Sequence, residues 1–112
     1  MNLHHRTFIS VNNSENGEVN SNTLFYYYQQ DNIIWAEYVG GEIVKGFLIG
    51  KFIAKDKIEF TYQHLNQKLE NRMGKCVSQI EVLSNGKLRL YESWKWFDGE
   101  QQIGTSIIEE IQ

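Results

Sequence analysis

Turn-forming residues recur at short, regular intervals, and the segments between them are rich in aromatic and β-branched residues. Glycine, asparagine and aspartate in such positions tolerate positive φ and close hairpins. The chain contains no proline, so every position of a β-ladder keeps its backbone donor. The turn signals are Ser14–Gly17, Gln30–Asn32, Gly40-Gly41, Lys55-Asp56, Asn66–Asn71, Asn85-Gly86 and Asp98-Gly99. They predict strands over 7–13, 18–29, 33–39, 42–54, 57–65, 72–83, 87–97 and 104–111.

Successive strands with such short connections cannot pair in parallel, because parallel pairing requires long crossovers. They predict an antiparallel meander, and closing the meander removes its two exposed edges. We therefore expect an all-β fold, an eight-stranded antiparallel up-and-down, lipocalin-like barrel, built by residues 1–112 as one domain. A two-sheet β-sandwich of the same strands is the alternative. The segment 64–73 is too short and polar for a stable helix and is interpreted as a loop with at most one turn.

Charge and composition argue against several classes of protein. The 11 Lys and Arg residues against 14 Asp and Glu residues give a net charge of −3, whereas nucleic-acid binders usually carry a basic face. A single cysteine cannot form an internal disulfide. No segment approaches the roughly 18 to 20 apolar residues of a membrane span, and residues 1–10 lack the apolar stretch of a secretion signal. We expect a cytoplasmic protein without nucleic-acid or membrane partners.

Alternation of apolar and polar residues predicts which side chains point into the barrel. On the fifth strand the inward face carries Phe60, and on the seventh it carries Leu90. The sixth strand is expected to send Ile80 and Val82 inward. Polar and aromatic residues on these inward faces are the candidate ligand-binding residues: Tyr62, His64, Cys76, Ser78, Glu92, Trp94 and Trp96. On the third strand, Trp35 and Glu37 share one face, and the sequence leaves open whether that face is inside.

A charged side chain on an inward face needs a partner. For Glu92 the candidate donors are His64, Tyr62 or a ligand. A satisfied structural network is the simpler interpretation of such a pair, and Cys76 alone is expected to be a small buried apolar residue. A Cys–His–Glu nucleophilic arrangement would require mutual hydrogen-bond reach. No cofactor or metal is expected, because His4-His5 lack further ligands and no phosphate-binding glycine motif occurs.

Five segments of the chain carry a family resemblance: Asn13–Val19, Gly40–Ile43, Gly46–Gly50, Gly74–Cys76 and Glu92–Trp96. They resemble a family of small bacterial proteins often labelled N-acetylglutamate synthase, and the resemblance covers nearly the whole chain. The label implies acetyl transfer from acetyl-CoA, but the sequence lacks the glycine-rich loop and helix that usually hold its pyrophosphate. In architecture the chain looks like the calycin-type barrels of the lipocalin and fatty-acid-binding families.

Three functions compete on this pattern. A non-catalytic barrel would bind a small apolar or amphipathic ligand in its interior, with Glu92, His64 and Tyr62 orienting its polar end. A small enzyme would use His64 and Glu92 for acid–base chemistry on an ester, lactone or carbonyl compound. A filled barrel would act through its surface as a homodimer or interaction module, with exposed aromatics such as Tyr26, Tyr91 or Phe97 in the contact. We favour the binding barrel, as a monomer or homodimer.

Overall fold

A computed structural model describes residues 1–14, 17–97 and 102–111. The middle of the predicted turn at 14–17 and the whole of the predicted turn at 98–99 therefore lie outside the described residues. The strands are β1 (Arg6–Asn13), β2 (Leu24–Gln30), β3 (Ile33–Gly40), β4 (Ile43–Ala54), β5 (Lys57–Asn66), β6 (Asn71–Val82), β7 (Leu88–Trp96) and β8 (Ile103–Ile111).

The strands pair in sequence order and antiparallel, and β8 returns to pair with β1, so the sheet is a closed barrel. The predicted up-and-down barrel is confirmed, and the sandwich alternative is wrong. Short turns keep neighbouring strands adjacent, as between β3 and β4, where Gly41-Glu42 form the turn and both Gly40 and Gly41 have positive φ. Asn66 orders the longer β5–β6 turn, since its side-chain oxygen accepts hydrogen bonds from the amides of Lys68 and Glu70, both at 3.0 Å.

Three predictions of the sequence pattern are wrong. The segment 64–73 is not a loop throughout, because β5 continues to Asn66 and β6 begins at Asn71, which leaves only residues 67–70 between the strands. The second strand begins at Leu24 rather than at residue 18, because the chain turns between Asn20 and Thr23. The Thr23 amide donates to the Asn20 carbonyl at 2.9 Å, and the Thr23 hydroxyl accepts from the Asn20 amide at 3.1 Å. Val82 was expected inside but is 59% exposed. It is the last residue of β6, at the rim of the barrel, where the interior ends.

The two ends of the barrel interior differ in chemistry. At one end, where β1, β3, β5 and β7 begin, aliphatic and aromatic side chains fill the space without exposure to solvent. This apolar end consists of Leu3, Phe8, Ile34, Ile58, Leu88, Leu90 and Ile108. The other end, where those four strands finish, holds the polar and aromatic residues, and we call it the mouth. Because the apolar end is packed solid, any pocket in the interior has to open at the mouth.

On β3 the inward residues are Ile34, Ala36 and Tyr38, which settles the open question: Trp35 and Glu37 face outward. In the described part of the chain, no helix has the length and apolar character of a membrane span.

Candidate functional site

A cavity of about 50 Å³ lies inside the mouth of the barrel. Its walls combine residues from all eight strands with residues 17–19, which lie across the mouth before β2 begins. Six of the seven predicted site residues line it; Ser78 lies just behind the wall. The aromatic part of the wall is Phe25, Tyr38, Phe60, Tyr62, Trp94 and Trp96.

Two inward-facing glycines leave room for the rings of this wall. Gly46 is paired with Tyr38 on one side and with His64 on the other. A Cβ at Gly46 would lie 2.5 Å from the Tyr38 ring, so only glycine lets the ring cross β4. As a result the Tyr38 hydroxyl reaches His64 Nδ1 at 3.0 Å. Gly74 likewise leaves room for a ring between Tyr62 and Trp96, whose rings pack edge to face with their centroids 5.5 Å apart.

Glu92 is the buried acid of the pocket. Its neighbours on the adjacent strands are Ser78 and Ser106. The Ser106 hydroxyl donates to Glu92 Oε1 at 2.8 Å, and Ser78 provides a second hydrogen bond. Burial raises the pKa of the Glu92 carboxyl to about 7, although both serine hydrogen bonds act in the opposite direction. The carboxyl therefore changes its charge near neutral pH.

Burial keeps two further groups of the interior, the Cys76 thiol and the Tyr38 hydroxyl, neutral. Burial raises the pKa of the Cys76 thiol well above its usual value, and the nearby Glu92 carboxylate adds to the shift. A thiol that does not ionise is a poor nucleophile, so Cys76 acts as a small buried side chain. Its sulfur lies 3.8 Å from the Ser78 hydroxyl. Burial likewise raises the pKa of Tyr38.

A second carboxylate closes the mouth. Glu18 Oε1 lies 2.7 Å from His64 Nε2. Glu18 Oε2 accepts hydrogen bonds from Arg72 at 2.8 Å and from Asn66 at 3.1 Å. Burial alone would raise the pKa of the Glu18 carboxyl, but these hydrogen bonds and the Arg72 charge together lower it. Glu18 is therefore an anion at neutral pH.

The structure brings the predicted residues together at one end of the barrel but pairs them differently from the expectation. The carboxylate that contacts His64 is Glu18, while Glu92 takes hydrogen bonds from Ser78 and Ser106. Alternation in β8 would have indicated Ser106, which shares the inward face of Ile108. Sequence reasoning also missed Glu18, because periodicity alone extends the second strand over residues 18–29. Among the described residues, no group of three His, Cys, Asp or Glu side chains is arranged to hold a metal ion.

A closed antiparallel barrel, packed at one end and carrying an aromatic pocket at the other, defines the molecule as a calycin-type barrel. Within that class, a family model described as "Avidin-like protein" matches residues 1–111, and the chain belongs to this family. No curated protein and no solved structure matches the chain.

Proposed function

We propose that the protein is a non-catalytic binding barrel that holds a small, partly apolar ligand in the pocket at its mouth. The observation that carries this proposal is the Glu92 carboxyl, buried beside an aromatic cavity. An apolar pocket with a few convergent polar groups is the usual composition of a small-molecule site. Membership of the avidin-like family supports it, since barrels of this family bind small ligands, biotin among them.

The size of the cavity indicates how binding would proceed. At about 50 Å³ it has room for only a few water molecules, since one water needs roughly 10–15 Å³. A larger ligand therefore requires residues 17–19 to move away from the mouth. These residues belong to no strand, so they can move without breaking the barrel.

Native mass spectrometry of freshly purified protein, repeated after organic denaturation, tests the proposal. We expect a mass excess that disappears on denaturation and that is reduced or lost in a Glu92→Gln variant. A Glu37→Gln variant is the matched control, because Glu37 faces outward and pairs with Lys45 at 3.7 Å. A wild-type mass equal to that of the chain alone would argue against a tightly held ligand. An equal excess in the Glu92→Gln variant would rule out Glu92 as a ligand contact.

The pairing of the polar groups supports binding over acid–base catalysis. A His64–Glu92 pair was the basis of the enzymatic alternative, and the hydrogen bonds instead join His64 to Tyr38 and Glu18. The described residues also contain no helix, and so none that could open from a glycine-rich loop to hold acetyl-CoA.

One observation favours the surface-interaction alternative as a second function. Ile33, Phe47 and Ile49 on the outside of β3 and β4 are all more than half exposed. Beside them Trp35 stacks on Tyr28, with ring centroids 5.9 Å apart. This outer patch has the aromatic and aliphatic character of an interface. A mass that rises with protein concentration, and that stays monomeric in an Ile49→Lys variant, would support it. A monomer at all concentrations would exclude self-association.

A further inference from the structure

The residues that contact one another at the mouth come from two different parts of the fold. His64 and Asn66 lie on β5, and Arg72 is the direct neighbour of His64 on β6, so all three come from the barrel wall. Glu18, which they bind, comes from a segment outside the strands. Its side chain is nevertheless only 15% exposed. The wall thus presents three donors, and a short connecting segment supplies their acceptor.

The three donors are positioned without help from Glu18. Tyr38 bonds to the other ring nitrogen of His64 at 3.0 Å. The Asn66 side chain is fixed by the β5–β6 turn that it orders. The Arg72 guanidinium lies 4.1 Å from the centroid of the Trp96 ring. Donors held in this way would keep their geometry if Glu18 left, and preorganised donors bind an anion at low entropic cost.

The site continues directly into the aromatic cavity. Glu18 and His64 line the cavity together with Trp96 and Tyr62. A molecule whose carboxylate took the place of the Glu18 carboxylate would therefore place its remaining atoms among the aromatic rings. Those rings suit a flat or chain-like apolar body.

We propose that His64, Asn66 and Arg72 form a carboxylate-binding site, occupied in the free protein by Glu18 and, on binding, by the carboxylate of a small apolar acid. The inference rests on the proposed binding function and names its ligand class. Glu18 is then an internal competitor, whose departure opens the mouth at the same time as it frees the site. The ion pair that the ligand forms with Arg72 replaces the one that Glu18 gives up.

The test compares one acid with its neutral analogue. Binding of 3-phenylpropanoate and of 3-phenylpropanamide is followed by calorimetry and tryptophan fluorescence for wild type and for Glu18→Ala. We expect the acid to bind Glu18→Ala about tenfold more tightly than wild type, because a charge-assisted acceptor has been removed from the site. The affinity for the amide should increase much less. Adding Arg72→Gln to Glu18→Ala should abolish the gain for the acid.

Two further variants complete the design. Glu70→Ala is the matched control, because it removes the same charge as Glu18→Ala. Glu70 also contacts Asn66, but it lies exposed in the turn. It should leave both affinities close to wild type. Glu18→Gln keeps the size of the side chain and serves if Glu18→Ala folds poorly; the acid should again gain more than the amide.

The outcomes separate this inference from the proposed function. If the affinities for acid and amide increase equally when Glu18 is removed, residues 17–19 only block the mouth sterically. The carboxylate site is then wrong, while binding in the pocket stands. If the acid binds no variant, the carboxylate site is overturned as well. The proposed function is then judged separately by the co-purified mass of the wild-type protein.

Discussion

Burial of the Glu92 carboxyl couples the stability of the barrel to pH. In the unfolded chain this group has its usual pKa of 4.5, and in the folded protein the pKa is about 7. Between these values the folded state holds a proton that the unfolded state has released, so raising the pH favours unfolding. Above pH 7 both states are ionised, and the full cost of the buried charge is present. At 1.36 kcal/mol per pKa unit, the shift of the Glu92 pKa from 4.5 to about 7 corresponds to a cost of roughly 3 kcal/mol.

We therefore expect the free energy of unfolding of wild type, relative to Glu92→Gln, to fall by roughly 3 kcal/mol between pH 4.5 and pH 7 and to change little above. Glutamine keeps the shape of the side chain and an acceptor for the serine hydroxyls. Urea denaturation at a series of pH values measures the difference, in which the titration of all other groups cancels. A constant difference across this range would mean that Glu92 ionises normally in the folded protein.

The lowered pKa of Glu18 has the opposite effect on stability, which rises with pH as this carboxyl ionises. Its stabilising contacts exist while it is ionised, and they are lost as the pH falls below its usual pKa of 4.5. The two carboxyls thus act in separate pH windows. Since Glu18 stays ionised over the range in which Glu92 titrates, Glu92 is the one of these two carboxyls that makes stability depend on pH near neutrality.

At the scale of the strand, the inward glycines decide which aromatic rings can meet. Gly46 is the clearest case, because the Tyr38 ring occupies the space where a side chain would be. We expect Gly46→Ala to lower the free energy of unfolding by about 1–3 kcal/mol, the usual cost of overpacking. In a Tyr38→Leu background the same substitution should cost less, since the contacting ring atoms are absent. A double-mutant cycle by urea denaturation measures this coupling. Equal costs in both backgrounds would show that the Tyr38 ring is not the obstacle.

Strand patterns in the sequence were sufficient to predict most of the pocket wall. Alternation placed His64, Cys76 and Glu92 on inward faces, because one face of each strand is buried and the period of a strand is fixed at two. The same rule cannot say which inward residues contact one another across the barrel, since that depends on the stagger between strands. For this reason the pairing of His64 with Glu92 was expected, and its pairing with Glu18 was not.

The β1–β2 connection was predicted wrongly, although Asn20–Thr23 is a cluster of turn-forming residues that marks a turn. Glu18 and Val19 precede a run of aromatic residues, and periodicity alone extended the second strand back over them. What ends the strand is the turn between Asn20 and Thr23, held partly by the bond from the Thr23 hydroxyl to the Gly40 carbonyl at 3.0 Å. The other two bonds of the turn join Asn20 and Thr23 to each other, so the turn has a local signal in the sequence, and only the bond to Gly40 depends on the fold.

At the scale of the whole molecule, the barrel divides into a packed apolar end and a mouth whose closure depends on a few polar contacts. Local opening is easiest where few apolar groups are buried and the backbone lacks a ladder. Residues 17–19 at the mouth meet both conditions, whereas the ladder around Leu90 and Ile108 is fully buried and paired on both sides. Access to the pocket therefore does not require the barrel itself to unfold.

Native-state hydrogen exchange measures this difference directly. We expect the amides of Gly17 and Asn20 to exchange at least about a hundredfold faster than those of Leu90 and Ile108, which should exchange only through global unfolding. Denaturant should accelerate exchange at Leu90 and Ile108 strongly and have little effect at Gly17, because local opening exposes little surface. Equal protection at both ends would mean that the mouth opens only when the whole barrel does. Ligand exchange would then be as slow as unfolding, and Glu18 could not act as a displaceable occupant of the site.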